Sequence, residues 1–185
     1  MLDMIKESAD EHMKKALESL DYNFASVRTG RANAMVLDRI KVDYYGVPTP
    51  VNQVAAVKSP DAHLLVIEPW EKSTLRAIEH AILASDLGVT PSNDGNCIRL
   101  PFPQLTEERR KELAKQCKAF AEEARVAVRN ARREANSDIA KTIKEESLPE
   151  DDQKRYENEI QKMTDKYIAA IDEACKKKEA EVMTV

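Results

Sequence analysis

Glycine is scarce in this chain: four residues in 185, at Gly30, Gly46, Gly88 and Gly95. No glycine-rich phosphate loop can be built from that spacing. Histidine is rarer still, and His12, His63 and His80 lie far apart with no His/Glu metal motif around them. No nucleophile elbow occurs either. With 33 acidic residues, carboxylates near one another are inevitable, and a pair of them signals nothing. Catalysis is not expected, and no cofactor or metal is called for. The three cysteines, Cys97, Cys117 and Cys175, show no C-x-x-C spacing and read as small core residues in a reducing compartment. No run approaches the roughly eighteen apolar residues that a membrane span needs. The start, Met1-Leu2-Asp3-Met4-Ile5-Lys6-Glu7, is too acidic and too broken in hydrophobicity for a signal peptide. A cytoplasmic protein without membrane contact is the expectation.

What is there begins with charge. The net charge is -4, which argues against a general polyanion binder, but its distribution is uneven. Residues 1–30, 31–104 and 148–185 each carry an acidic excess, whereas 105–147 holds 11 basic against 9 acidic side chains. That surplus is concentrated at Arg125–Arg133, and no acidic residue interrupts the arginines from Ala124 to Arg133. An acidic body with one local arginine stripe suggests a polyanionic partner met in a single orientation.

The stripe lies on the longest uninterrupted stretch. From Leu105 the chain runs without glycine or proline to Pro149, so a helix of roughly 60 Å is predicted. Leu113, Cys117, Phe120, Ala124, Ala127, Val128, Ala131 and Ala135 recur at steps of three and four, the pattern of a seam against partner helices. Lys111, Lys118, Arg125, Arg129 and Arg132 fall on another face, with Arg133 at its edge. Thr106 is the expected N-cap, with Glu107 and Glu108 complementing the dipole.

Two further helices flank it. Met1–Thr29 carries Ile5, Ala9, Met13, Ala16, Leu20, Phe24 and Val27 on one face and is expected to stop at Gly30. Ser147 and Glu150 read as a capping box for a last helix bearing Tyr156, Ile160, Met163, Tyr167, Ile171 and Ala174. Between Arg31 and Gln104 the character changes, with three of the four glycines and seven of the eight prolines. Short β-type runs appear at Ile40–Tyr44, Val54–Val57, Leu64–Ile67 and Cys97–Leu100, with a turn at Tyr44–Pro50 and a helix from Ser73 to Ser85.

The fold expected is α+β: an antiparallel three-helix bundle from 1–30 and 105–185, with a small β/α/β domain of 31–104 inserted. Amphipathic helices with narrow apolar stripes are stable only when packed together. The insert joins the bundle through two strands of chain. An L-shaped molecule with a restricted hinge at Gly30-Arg31 and Pro101-Phe102-Pro103-Gln104 is therefore expected.

Arginine forks suit phosphates and the flat faces of bases. Arg129 has no acidic residue four positions to either side, which weakens the reading of a merely solvated helix face. On pattern alone, RNA contact and an adaptor helix meeting an acidic protein both stand. Salt-sensitive binding to RNA separates them.

Certain segments together resemble the bacterial ribosome recycling factor family. They are Arg28-Thr29-Gly30-Arg31-Ala32, Tyr44-Tyr45-Gly46-Val47-Pro48-Thr49-Pro50, Ser85-Asp86-Leu87-Gly88, Leu105-Thr106-Glu107-Glu108-Arg109-Arg110 and Arg125–Arg133. The resemblance covers the chain in order and departs in the hinge, at Phe102 and Gln104. It implies a monomeric factor that binds the post-termination ribosome in the intersubunit space. With elongation factor G and GTP such a factor splits the subunits, releasing tRNA and mRNA, and initiation factor 3 then keeps the small subunit apart. It also implies contact of the bundle with large-subunit ribosomal RNA. Arg28, Arg31, Arg129, Arg132 and Arg133 are carried over from the family, and Lys118 and Arg125 join them from the face.

Overall fold

The computed structural model describes residues 1–184. In chain order its elements are helix α1 (Leu2–Ala25), strands β1 (Lys41–Tyr44) and β2 (Val47–Pro50), and one helical turn, α2 (Val51–Val54). Strands β3 (Ala55–Asp61) and β4 (Leu64–Pro69), helix α3 (Leu75–Leu83), and strands β5 (Ser92–Asn93) and β6 (Ile98–Pro101) follow. Two long helices, α4 (Glu107–Glu145) and α5 (Glu150–Met183), complete the chain. The architecture is α+β. By contacts it divides into two compact units: Met1–Phe24 with Lys115–Glu179, and Ala25–Ala114 with the residues from Ala180 onward.

The first unit is helical throughout. Side-chain pairs fix the directions of its helices. Asp3 meets Tyr156, Lys6 meets Glu159 and Asp10 meets Tyr167, so α1 and α5 run parallel. Arg125 meets Asp172 and Arg132 meets Gln161, so α4 runs against α5 and therefore against α1. Met13, Leu20, Cys117, Ala121, Val128, Ile139, Ile160 and Ile171 are buried between them. Removing a side chain such as Ile160 from this core costs about 2–5 kcal/mol, because the lost contacts leave a cavity.

The seam on α4 differs from the predicted one in one position. Ala127 is exposed and Ala121 is buried in its place, while Phe120 is half-buried. The buried steps run 117, 121, 124, 128, 131 and 135. Ala127 lies about 100° round from Val128 and cannot share that face.

In the second unit the sheet has the order β3-β4-β6-β5, all antiparallel, and β1-β2 forms a separate hairpin. Leu65 and Ile67 on β4 and Ile98 and Leu100 on β6 are buried. Their neighbours point away, the two-residue period of a half-buried strand. Val42, Ile78, Ile82 and Phe102 join them in one apolar cluster.

Several expected boundaries move, each for a local reason. Val47–Pro50 is strand β2 and not only a turn. Its prolines are tolerated because each strand of a two-stranded ribbon has an unpaired edge, which a residue without an N–H can face. The run at Val54 is helical up to that residue, and its strand starts at Ala55. The helix expected over Ser73–Ser85 shortens to Leu75–Leu83, preceded by a 3-10 turn at Lys72–Thr74. Helix α1 ends at Ala25; Val27 is buried, as its spacing suggests, but off the helix. Gly30 is not among the glycines with positive φ, so it is not a left-handed helix stop.

The junction of α4 and α5 also differs. Thr106 caps α4 as predicted, its Oγ1 accepting from Arg109 N at 3.1 Å. Ser147, however, has φ 52° and ends α4 instead of starting α5. Leu148 N donates to Ile143 O at 3.0 Å, the six-residue bond that closes a helix over a left-handed residue.

Candidate nucleic-acid interface

The basic side chains of α4 fan out from the seam toward solvent. At about 100° per residue, Arg132, Arg125, Lys118, Arg129 and Arg133 follow one another across an arc of about 100°. Their exposure and pairing change along that arc.

Arg125, next to Arg132 on the side of the helix interface, is fully engaged. Its Nε donates to Asp172 Oδ1 at 2.8 Å across to α5, and its Nη1 to Glu122 Oε2 at 3.0 Å. Burial disfavours its charge, but the two carboxylates outweigh that and hold its pKa above the ordinary value. This is a tie between helices, with its charge balanced on the spot. Arg132 is tied less completely: Nη1 donates to the neutral amide of Gln161 at 2.8 Å. Its Nε is buried without a partner among the described residues. The guanidinium therefore keeps its full charge and has donors to spare.

Arg129 lacks acids at four positions either way, but Glu122, seven back, reaches it at 3.4 Å. That carboxylate is shared with Arg125, and the Arg129 side chain is 40% exposed. Exposed pairs of this kind contribute at most about 1 kcal/mol and exchange readily for a better anion. Lys118 and Arg133 are exposed and have no hydrogen bond or ion pair among the described residues. Val126 and Ala127 are exposed beside them. The arrangement presents uncommitted guanidinium forks on a rigid helix, flanked by small apolar surface on which a flat base can rest.

The other predicted site residues belong to the second unit. Arg28 is buried at 8% exposure, with Nη2 donating to Pro103 O at 2.6 Å. Its guanidinium carbon lies 5.3 Å from the centre of the Phe102 ring. Burial, with the nearby Arg109 charge, holds its pKa below the usual arginine value. Gly30, Arg31 and Gln104 come together on the lining of one cleft of about 590 Å³, with His63 and Arg110. Arg31 is exposed there. Pro101 is the last residue of β6, opposite Leu64. Phe102 is 1% exposed, and its N–H donates to His63 O at 2.6 Å.

Among the described residues no group of histidine, cysteine, aspartate and glutamate could hold a metal ion. No helix is long and apolar enough to cross a membrane. Cys117 and Cys175 are buried thiols outside any disulfide, and Cys97 is half-buried. Gln161 and Asp172, which orient Arg132 and Arg125, were missed by the sequence reading. They lie on another helix, and only the pairing of α4 with α5 brings them into reach.

Comparison with known proteins bears on what this face meets. Residues 20–183 match the sequence profile of the family described as Ribosome recycling factor. The chain is 52% identical over 185 residues to the ribosome-recycling factor of Heliobacterium modesticaldum, covering 100% of both. It is 55% identical over 177 residues to that of Caldicellulosiruptor bescii, covering 96% of each. A solution structure of a ribosome recycling factor superposes with a TM-score of 0.78 at 41% identity, over 100% of this chain and 98% of that one. A second structure superposes at 0.67 with 48% identity, over 100% of both chains. It describes the Thermus thermophilus ribosome recycling factor and the Escherichia coli elongation factor G bound to the Escherichia coli post-termination complex.

Proposed function

The chain belongs to the ribosome recycling factor family, and from that premise we propose that it binds the post-termination ribosome. With elongation factor G, which hydrolyses GTP, it separates the subunits and frees tRNA and mRNA, and initiation factor 3 keeps the small subunit apart. The observation that carries this reading is the α4 face, where Arg129, Arg132 and Arg133 stand charged and incompletely partnered on a rigid helix. These forks bind phosphates and base edges of large-subunit ribosomal RNA, and Lys118 extends the contact. Arg31 supplies a further exposed cation. Arg28 enters differently, as a tie within the second unit.

The division of labour follows the chain. The bundle of 1–30 and 105–185 docks, and the insert of 31–104 is moved by elongation factor G about Gly30-Arg31 and Pro103-Gln104. Pro101 and Phe102 travel with the sheet to which they are bonded. Splitting is then a domain motion about terminal residues of packed elements. The chain acts without chemistry of its own, in the cytoplasm and as a monomer. Light scattering of post-termination ribosomes tests the reading. Addition of the protein with elongation factor G and GTP should lower the scattering, and neither factor alone should do so. Unchanged scattering with all components present would refute it.

A further inference from the structure

One segment that carries the resemblance has no part in the arginine face: Tyr44-Tyr45-Gly46-Val47 at the tip of the β1-β2 hairpin. Tyr44 and Val47 pair across the turn, leaving Tyr45 and Gly46 as a two-residue loop with φ 51° and 81°. Positive φ at both positions is the hairpin turn that favours Asn-Gly or Asp-Gly. A bulky aromatic there is a backbone outlier. Nothing within the fold recovers that cost by burying the ring, because Tyr45 is 77% exposed.

Further exposed apolar side chains lie close to Tyr45 or its partner Glu71 in the chain. Trp70, the only tryptophan in the chain, is 67% exposed, and Val47 is 61% exposed. The rings of Tyr44 and Tyr45 meet edge to face with centroids 4.6 Å apart. Both hydroxyls converge on one carboxylate: Tyr44 donates to Glu71 Oε1 at 3.0 Å and Tyr45 to Oε2 at 2.8 Å. Glu71 adjoins Trp70 and has no ion pair among the described residues. Asp43, at the same tip, accepts from Gly46 N at 2.8 Å. The surface thus holds electron-rich ring faces around a fixed carboxylate that lacks a cation. Nucleic acid would bring its phosphates against Glu71 and Asp43. A guanidinium suits both parts, lying over a ring and pairing with the carboxylate.

We propose that Tyr44, Tyr45, Trp70 and Glu71 form a docking surface for an arginine presented by a protein of the post-termination complex, apart from the RNA-binding face. This rests on the ribosomal reading above, and the tests keep the two apart. Tyr45→Asn is the decisive variant: it removes the ring but places the favoured Asn-Gly pair in the turn, so thermal stability should hold or rise. Glu71→Gln removes the charge and keeps hydrogen-bonding capacity toward the tyrosines. Both variants should sediment with post-termination ribosomes as wild type does, yet split them about tenfold more slowly at limiting factor, the scale of a desolvated cation–π contact. A photoreactive benzoylphenylalanine in place of Trp70 should crosslink to an arginine-bearing segment of a protein. Wild-type splitting by both variants, or a crosslink to ribosomal RNA, would overturn the docking surface alone. Failure of the wild-type chain to sediment with ribosomes would bring down the ribosomal reading, and this one with it.

Discussion

The two units use their polar side chains in opposite ways. In the helical unit the contacts between elements join side chain to side chain: Asp3 to Tyr156, Lys6 to Glu159, Arg125 to Asp172, Arg132 to Gln161. In the second unit polar side chains largely answer the backbone. Arg28 donates to Pro103 O, Arg110 to Leu105 O, and Asn33, Asp43 and Asp94 accept from nearby N–H groups. The cause is the state of the main chain. A long helix satisfies its own backbone and leaves side chains free for each other or for a partner. A chain that turns every few residues strands N–H and C=O groups, and side chains must satisfy them. Arginines on α4 can therefore change partners without unfolding anything, whereas Arg28 cannot.

The largest test of this contrast is to replace Arg129, Arg132 and Arg133 together with Gln. Ribosome affinity should fall by about 4 kcal/mol, allowing for non-additivity of charge-assisted bonds. The salt dependence of binding should flatten by about two to three in log–log slope. Melting temperature should stay close to wild type. Sedimentation at several salt concentrations checks the first two, and a slope equal to wild type would assign the contact to another face.

Arg28→Ala should show the reverse. It uncovers the Phe102 ring and leaves Pro103 O without its donor, at a cost of about 2–3 kcal/mol in stability. Arg28→Lys should recover little of that, since an ammonium lacks the fork and the flat face. Urea unfolding measures both. The salt slope of ribosome binding should remain that of wild type; a drop of one full charge on Arg28→Ala, absent in Arg28→Lys, would assign this arginine to RNA.

Which parts were legible in the sequence follows the same division. The helices and nearly all of their seams could be read, because a helix places residues by a fixed angle and needs only local information. Ala127 was misplaced because it stands beside Val128 in the chain, and only the exact phase of the helix turns it about 100° off the buried face that Ala121 joins instead. In the second unit four of the six strands were found with shifted edges, whereas β2 was read as a turn and β5 was not foreseen. Val47–Pro50 becomes a strand only because Lys41–Tyr44 lies opposite, which is a non-local fact. The burial of Arg28 was equally hidden. It depends on Phe102 and Pro103, seventy-odd residues away in sequence. The arginine run itself was legible, yet not which members are spent on Asp172 and Gln161.

A smaller effect is expected where α4 ends and the backbone again sets the terms. Ser147 sits at φ 52°, a conformation that costs a residue with a Cβ and costs glycine nothing. Ser147→Gly should raise stability by about 0.5–1 kcal/mol, despite the greater freedom glycine has in the unfolded chain. An unchanged or lower unfolding midpoint would mean that the Ser147 side chain does more than turn the chain.

The smallest effect lies in acid. Asp94, in the turn before β6, accepts from the N–H groups of Cys97 and Asn96, each at 2.9 Å. Those backbone donors, with smaller help from the Cys97 thiol and the Arg99 charge, hold its pKa down from 3.8 to about 2. A carboxylate whose pKa is depressed on folding contributes stability above its unfolded pKa and loses it as pH falls through the folded one. The contribution should therefore be whole at pH 5, decline from about pH 4 and be gone below about pH 2. Asn at this position can accept the same bonds but cannot be protonated in that range. The difference in stability between wild type and Asp94→Asn should be constant from pH 5 to 7 and drift against wild type between pH 4 and 2. The tyrosine hydroxyls on Asp3 and Asp10 in the bundle offer no comparable set of backbone donors. Acid unfolding followed by β-sheet and helix signals separately should show the Asp94 drift in the sheet signal. A difference that stays flat to pH 2 would mean that the turn persists in the unfolded chain and that the backbone of the second unit is satisfied before the sheet forms.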